Sequence, residues 1–264
     1  MQILFNIYAL FFGLIFGSFL NVLVSRTHDG ESLMTRSHCT KCKSEIAWFD
    51  NIPIFSFLLL RGKCRKCGEK ISFKYPIIEL LVGLVSLFCY YISYDLISYI
   101  LLFSISFFIL YFSIYDIFYQ EIFDKLAIPV AILLLILNIV SYFYPISIYT
   151  RLFTLNFGLT NILSAIIYSL LVVLIIVFTR GKMGAGDIRF AVIAGLLLSP
   201  DKLYFGIMST YVVGSVVGVI VAIIKRKFRG IPLPFIPFMG IGIFLSYILG
   251  SEFWKFLTFQ KFLR

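Results

Sequence analysis

Charged side chains are scarce, at 14% of the 264 residues, while 61% of the chain is apolar. A soluble domain carries roughly 25% charged and 45–50% apolar residues. That shortage excludes a disordered chain, a collagen-like rod, a heptad rod and a disulfide-stapled secreted mini-domain, because none of them accommodates 30 Phe alongside abundant Leu and Ile. Histidine occurs only at His28 and His38, both in one polar segment, so a Ser-His dyad inside the apolar stretches is excluded. There is no His-Glu-x-x-His string for a zinc protease, no internal repeat, no low-complexity tract and no glycine-rich nucleotide fingerprint. No Lys or Arg precedes the first apolar run, which leads into Gly17-Ser18-Phe19-Leu20-Asn21 rather than a small-residue cleavage site. That run is therefore expected to be a retained span and not a removed signal peptide.

What is present is apolar length. Mean hydropathy is +1.00, and a bilayer core about 30 Å thick needs about 20 apolar residues per helix. Apolar runs at 3–24, 77–92, 97–115, 126–144, 156–179, 188–199, 203–224 and 235–250 predict an all-α polytopic membrane protein of about eight transmembrane helices. The run at 188–199 is short. It spans only with help from its flanks or is partly re-entrant beside protein. The expected organisation is a first transmembrane helix at 1–24, a small cytoplasmic cysteine-rich insert at 25–76 and a multi-helix membrane core at 77–264.

Net charge is +10, and the loops decide what it means. With the amino terminus outside, the inner segments 25–76, 116–125, 180–189 and 225–234 hold 18 of the 23 basic residues. Lys and Arg collect on the cytoplasmic side, so both termini are expected outside. Bases on the insert (Lys41, Lys43, Lys63, Arg65, Lys66) then set topology or meet membrane lipid, and no nucleic-acid partner is expected.

The insert carries Cys39-Thr40-Lys41-Cys42 and Cys64-Arg65-Lys66-Cys67 with 21 residues between them. Two C-x2-C turns present four thiolates to one tetrahedral ion, so Cys39, Cys42, Cys64 and Cys67 are expected to form a structural zinc ribbon. The metal substitutes for a core that so short a polar segment cannot build. Cys89, inside the second span, reads as a small apolar residue. His38 is a surface histidine or sits behind the cysteine ligands.

Three acids fall at span edges: Glu79, Asp116 and Asp187, the last closing Gly184-Ala185-Gly186-Asp187. A carboxylate in the bilayer costs roughly 2.5–3.5 kcal/mol on insertion scales, so each is a functional candidate. The expected topology brings Asp116 and Asp187 to the same depth. Two facing carboxylates serve as base toward water and acid toward a carbonyl, which is aspartic protease chemistry. Gly184 and Gly186 permit a substrate strand to approach and tolerate positive φ. Asp124, which continued helix would put about 12 Å beyond Asp116, and Glu79 are supporting candidates. On the residues alone, a proton-coupled transporter and a partner-recruiting zinc-ribbon scaffold stay open beside the hydrolase.

Several strings, taken in order, resemble the type IV prepilin peptidases: Gly17-Ser18-Phe19-Leu20-Asn21-Val22, Arg26, Ser37-His38-Cys39, Trp48-Phe49-Asp50-Asn51-Ile52-Pro53, Arg61-Gly62-Lys63-Cys64-Arg65-Lys66-Cys67, Tyr75-Pro76-Ile77-Ile78-Glu79 and Gly184-Ala185-Gly186-Asp187. The resemblance implies a bifunctional enzyme of the bacterial inner (cytoplasmic) membrane. Such an enzyme cleaves the leader of type IV prepilins or pseudopilins on the cytoplasmic side, for a pilus or a type II secretion system. It then N-methylates the new terminus with S-adenosylmethionine. It also implies that Asp116 and Asp187 are the catalytic pair and that the cysteine insert belongs with the methyltransferase half. The methyl donor rests on the resemblance alone. Two positions depart from the family pattern: Phe123-Asp124 stands where Pro-Asp is usual, and Arg189 where Lys is usual. Tyr115-Asp116 with the GxGD string is also similar to presenilin-type and signal peptide peptidases, which lack the cysteine insert.

Overall fold

The computed structural model of the chain describes residues 2–179, 184–226 and 233–253. In chain order the elements are α1 (Gln2–Asp29), α2 (Phe55–Leu59), α3 (Lys74–Ile92), α4 (Leu96–Tyr119), α5 (Asp124–Phe143), β1 (Ser147–Tyr149), β2 (Thr154–Asn156), α6 (Leu159–Phe178), α7 (Gly186–Leu197), α8 (Pro200–Lys225) and α9 (Ile236–Leu245), which runs into a π-helical turn at Ser246–Gly250. The chain divides into two compact units between Tyr111 and Phe112, within α4.

Seven helices among the described residues are long and apolar enough to cross a bilayer, where the sequence predicts eight. The missing span is the run at 188–199. It is a helix, α7, but of 12 residues, about 18 Å at the helical rise. Of the basic residues behind the expected sidedness, Arg180, Lys182, Lys227, Arg229, Lys255, Lys261 and Arg264 lie outside the described residues.

In the first unit α1 packs on α3 through glycine. A Cβ on Gly13 would lie 2.4 Å from Ser86 Cβ, and one on Gly17 would lie 2.7 Å from Glu79 Cα. This is the G-x-x-x-G device, which gains close van der Waals contact where no hydrophobic force draws helices together. Ser86 Oγ donates to the Ala9 carbonyl at 2.7 Å and lies 2.8 Å from Tyr99 Oη, so the polar groups in the seam satisfy one another. Phe16 meets Phe103 and Phe107 edge-on, with ring centroids 5.5 and 5.6 Å apart. Asp95 caps α4, accepting from Ser98 N and Ser98 Oγ, both at 2.9 Å. α1 runs past the expected boundary to Asp29, which places His28 in its last turn.

The insert is tied to α1 by one side chain. Arg26 is buried, and its guanidinium donates to the carbonyls of Ser32, Leu33, Thr35 and Arg36 at 2.7–3.1 Å. A cation enclosed by four carbonyl dipoles fixes the path by which the chain leaves the helix.

The second unit is organised around α7, which is buried over most of its length from Phe190 onward: Phe190, Ala191 and Ala194 are at 0% exposure, as is Leu198 just beyond its end. A helix enclosed by protein need not match the bilayer thickness, provided that its ends are satisfied. They are. Asn138 Nδ2 donates to Leu196 O at 3.1 Å, Asn161 Nδ2 reaches the same oxygen at 3.3 Å, and Tyr247 Oη donates to Leu197 O. Asn138 Oδ1 also accepts from Gly158 N at 2.8 Å, joining α5, α7 and the start of α6 at one residue. Beside this cap the antiparallel pair β1–β2, in register Ile148 with Leu155, connects α5 to α6. Buried Lys202 donates to Thr154 O at 3.0 Å and lies 4.4 Å from the centroid of the Tyr247 ring, holding α8 to the hairpin.

Gly195 is the tightest point of the α6–α7 contact, since a Cβ there would lie 2.3 Å from Ala165 Cα. Gly195→Val is expected to cost about 3 kcal/mol, because backbone cannot yield as a side chain can. Gly158→Ala, where the nearest atom would be 3.8 Å away, serves as the control and should melt like the parent chain in detergent.

Candidate active site

Asp116 sits in the last turn of α4 and Asp187 in the first turn of α7, both buried, at 6% and 8% exposure. They line a single cavity of about 760 Å³ together with Gln120, Glu121, Ile122, Thr179, Gly184, Gly186, Arg189, Tyr211, Phe235 and Ile236. The two carboxylates lie within electrostatic reach of each other. Folding thus brings both acids to the lining of one cavity.

Each acid is held by the beginning of a helix. Asp116 Oδ2 accepts from the backbone N–H of Ile236 at 2.9 Å, satisfying a donor that the first turn of α9 leaves free. Asp187 is the second residue of α7, and its N–H donates to Gly184 O at 3.1 Å. The Asp116 carboxylate is therefore met by the positive end of the α9 dipole, and Asp187 lies within the first turn of α7, where that helix's own dipole is positive. Phe190 is fully buried, and its ring packs against Phe112 one turn before Asp116, with centroids 5.9 Å apart.

The two glycines act differently from the expectation. Neither Gly184 nor Gly186 has positive φ. Gly186 sits in a tight place, because a Cβ there would stand 3.1 Å from Ile122 Cγ2, and Ile122 in the α4–α5 loop would have to give by a few tenths of an ångström. A Cβ at Gly184 would come no nearer than 3.8 Å to any described atom, with Asp187 Oδ2 at 3.8 Å and Gly186 N at 4.0 Å, so that position is open among the described residues.

Asp124 does not continue α4. That helix stops at Tyr119, closed by Gln120 in the left-handed conformation (φ 55°), and Asp124 begins α5. It is absent from the cavity lining, and its Oδ1 lies 2.8 Å from Arg189 Nη1. Both side chains are nearly half exposed, and the contact is an ion pair without an aligned hydrogen bond. Arg189 does line the cavity, so Asp124 meets the site through its partner. Glu79 belongs to the first unit. Its Oε2 accepts from Ile54 N at 2.7 Å, and it lines a separate cavity of about 570 Å³ with Asp50, Asn51 and Tyr75.

The sequence reading missed Gln120, one turn past Asp116 and bonded to its carbonyl at 2.9 Å, and it missed Tyr211 and the Phe235–Ile236 backbone, which are joined to the aspartates only by folding. Pro234 and Pro237, flanking the α9 start, are the one local signal of an exposed helix N-terminus there.

The four thiols of the insert converge, with all Sγ atoms within 4.8 Å of one another, an arrangement that could hold a metal ion and is compatible with zinc. The two knuckles repeat one geometry. Lys43 N donates to Cys39 O, and Gly68 N to Cys64 O, each at 2.9 Å, and Lys43 and Gly68 both have positive φ. Lys41 pairs with Glu69 across the knuckles. Ser44 hydrogen bonds pull the Cys42 thiol down to about 6. Backbone N–H groups of Cys67 and Lys66 lower Cys64. For Cys67 the Glu69 N–H acts downward, but desolvation and the three facing sulfurs prevail and push it up to about 12. Four sulfurs so close cannot all be thiolates without a cation among them. His38 pairs across the first hairpin with Glu45 and stands outside the ligand set.

Comparison with known proteins gives two family matches. Residues 11–93 match the Bacterial Peptidase A24 N-terminal domain, and residues 101–223 match the Type IV leader peptidase family. A prepilin leader peptidase/N-methyltransferase of Bacillus subtilis (strain 168) is 29% identical over 250 residues, covering 93% of this chain and 94% of the relative. One of Vibrio cholerae is 42% identical over 112 residues, covering 38% of this chain and 42% of the relative. One of Myxococcus xanthus is 45% identical over 87 residues, covering 33% and 26%. The chain thus aligns with about a quarter of the Myxococcus protein and nearly all of the Bacillus one. No solved structure matches the chain at comparable significance.

Two outcomes follow for the insert. A chelator should release any metal ion that the four sulfurs hold and leave four thiols open to titration. The insert should then become protease-sensitive while the membrane helices keep their circular dichroism. Separately, Arg65 forks onto Asp50 at 2.6 and 2.8 Å and, chiefly through that hydrogen bond, holds the Asp50 carboxyl below 3.8. Its contribution is complete above the ordinary carboxylate value and disappears as pH falls through the lower native one. Protection of the insert from proteolysis should therefore exceed that of Asp50→Asn at neutral pH and converge with it in acid.

Proposed function

The chain belongs to the type IV leader peptidase family, and on that premise we propose that it removes the basic leader of type IV prepilins or pseudopilins and then methylates the amine that cleavage exposes. The observation that carries the reading is the shared cavity of the second unit, with two buried carboxylates in electrostatic reach and, among the described residues, no histidine, cysteine or lysine in its lining. Catalysis there falls to the acids.

In this mechanism a water held between Asp116 and Asp187 attacks the scissile carbonyl. One carboxylate takes the proton of the water, and the other, protonated, hydrogen-bonds the carbonyl oxygen and later protonates the departing amine. Anchoring of Asp116 Oδ2 on Ile236 N–H leaves Oδ1 to face the reaction. Gly184, open to the cavity, lets an extended substrate backbone pass beside Asp187. Glu121, an exposed acid on the cavity lining, meets the basic leader. The supporting role of Asp124 is to orient Arg189 at the same rim.

The second activity is assigned to the first unit. S-adenosylmethionine supplies an electrophilic methyl group on a sulfonium. Glu79, Asp50 and Tyr75 line a cavity of about 570 Å³, within the range of small-molecule sites. The two carboxylates suit the positive sulfonium and ribose hydroxyls, and Tyr75 offers a ring for the base. The zinc ribbon, through Arg26, Asp50 and Arg65, holds that cavity in shape.

The membrane is the bacterial cytoplasmic membrane, with the insert and the aspartates on the cytoplasmic side. This reading is supported by the basic inner loops and by four free cysteines that a reducing compartment preserves. A transporter has less support, since the acids share one reaction-sized cavity and no repeat is present.

Purified protein and a synthetic prepilin peptide test the assignment. Asp116→Asn and Asp187→Asn should each lower leader cleavage by roughly 10³-fold or more, with melting temperature preserved and methylation of a pre-cleaved peptide intact. Cleavage at the parent rate by either variant would overturn the aspartic mechanism.

A further inference from the structure

Among the described residues of the second unit, buried hydroxyls are spent on structure, with Tyr211 as the exception. Tyr168 donates to Thr210 at 3.4 Å, Ser141 to Phe157 O at 2.7 Å, Thr210 to Gly206 O at 2.8 Å and Tyr247 to Leu197 O. Tyr211 Oη is buried and makes no hydrogen bond among the described residues. A phenol removed from water without a partner is costly, and such groups in a native fold call for a reason. Its position offers one. Tyr211 lines the cavity that holds Asp116 and Asp187, and Asp187 is within its electrostatic reach.

The side chain is fixed from two directions. Its ring packs on Phe235, centroids 5.3 Å apart, next to the Ile236 N–H that anchors Asp116. Its backbone is fixed by the close approach of α8 and α9. A Cβ on Gly242 would lie 2.6 Å from Gly206 O, and one on Gly214 would lie 3.2 Å from the Phe238 ring. An unsatisfied donor held rigidly in a reaction cavity is preorganised for charge that appears only during reaction.

The chemistry has room for a second donor at one point. When water adds to the scissile carbonyl, two oxygens sit on the tetrahedral carbon. The acid pair, sharing one proton, can protonate or hydrogen-bond only part of that developing charge. We propose that Tyr211 is a catalytic residue whose hydroxyl donates a hydrogen bond to the scissile carbonyl oxygen as it becomes the tetrahedral oxyanion. This inference rests on the reading of Asp116 and Asp187 as the water-activating pair. No bond to Tyr211 forms or breaks, and its proton stays on the phenol.

The test uses the full-length protein in detergent and a peptide with a basic leader, Gly-Phe and an apolar run. Tyr211→Phe should lower kcat about 100-fold and move KM less than about threefold, the split expected when an interaction exists only in the transition state. A hydroxyethylene isostere of the peptide, which carries the tetrahedral centre, should bind Tyr211→Phe at least about tenfold more weakly. Thermal stability without peptide should be unchanged or higher, because the substitution deletes an unpaired buried hydroxyl. Methylation of pre-cleaved peptide should be unaffected. Parent-like kcat in Tyr211→Phe, with Asp187→Asn inactive, overturns this inference and leaves the acid pair standing. A loss of kcat matched by a fall in melting temperature, with isostere affinity unchanged, assigns the hydroxyl to folding and also overturns it. Cleavage by Asp187→Asn overturns the underlying reading and this inference with it.

Discussion

Backbone polar groups inside a bilayer must find their partners within the protein, and the second unit is shaped by how α7 meets that demand. At 12 residues it is too short to bring its last carbonyls to water. Asn138, Asn161 and Tyr247 meet them inside the bundle. That far-end cap fixes the axial position of α7 and so the depth of Asp187 at its other end. A longer helix would satisfy itself at the surface and would leave the depth of the acid to slide.

The near end follows the complementary rule. A helix start offers free N–H groups, and the cavity is built where such starts face carboxylates: Asp187 within the first turn of α7 and Asp116 against the first turn of α9. Close packing makes the arrangement rigid. Gly195 against Ala165 and Gly242 against Gly206 leave no room for a side chain, and Gly186 against Ile122 leaves little. Rigidity is what allows an unpaired hydroxyl such as Tyr211 to persist beside the acids, since a softer site would relax until it found a partner.

The first unit solves a different problem with different means. A polar segment rich in lysine has too little apolar surface to fold by burial, so charge and sulfur take over. Arg26 is closed in by four carbonyls, Asp50 and Arg65 fork together, and four sulfurs converge on the space of one ion. The helix pair beneath it relies on the Gly13-x-x-x-Gly17 contact, which is insensitive to the polarity of the insert.

Legibility in the sequence followed the range of each interaction. The C-x2-C pairs could be read because their geometry is local, and so could the long apolar runs. The acid pair was legible through a shared signal, an ionisable group at a span edge, which costs enough to stand out wherever it occurs. The short run at 188–199 was visible, but its burial was not, because enclosure of α7 depends on Asn138 and Asn161, 58 and 35 residues from Leu196. Asp124 was placed on an extension of α4 because no local signal marks the left-handed Gln120 that ends the helix. Tyr211 was unreadable for a deeper reason. One of 16 tyrosines in an aromatic-rich membrane chain, it is distinguished only by a bond that it does not make, and the absence of a partner exists only once every other group has taken its place.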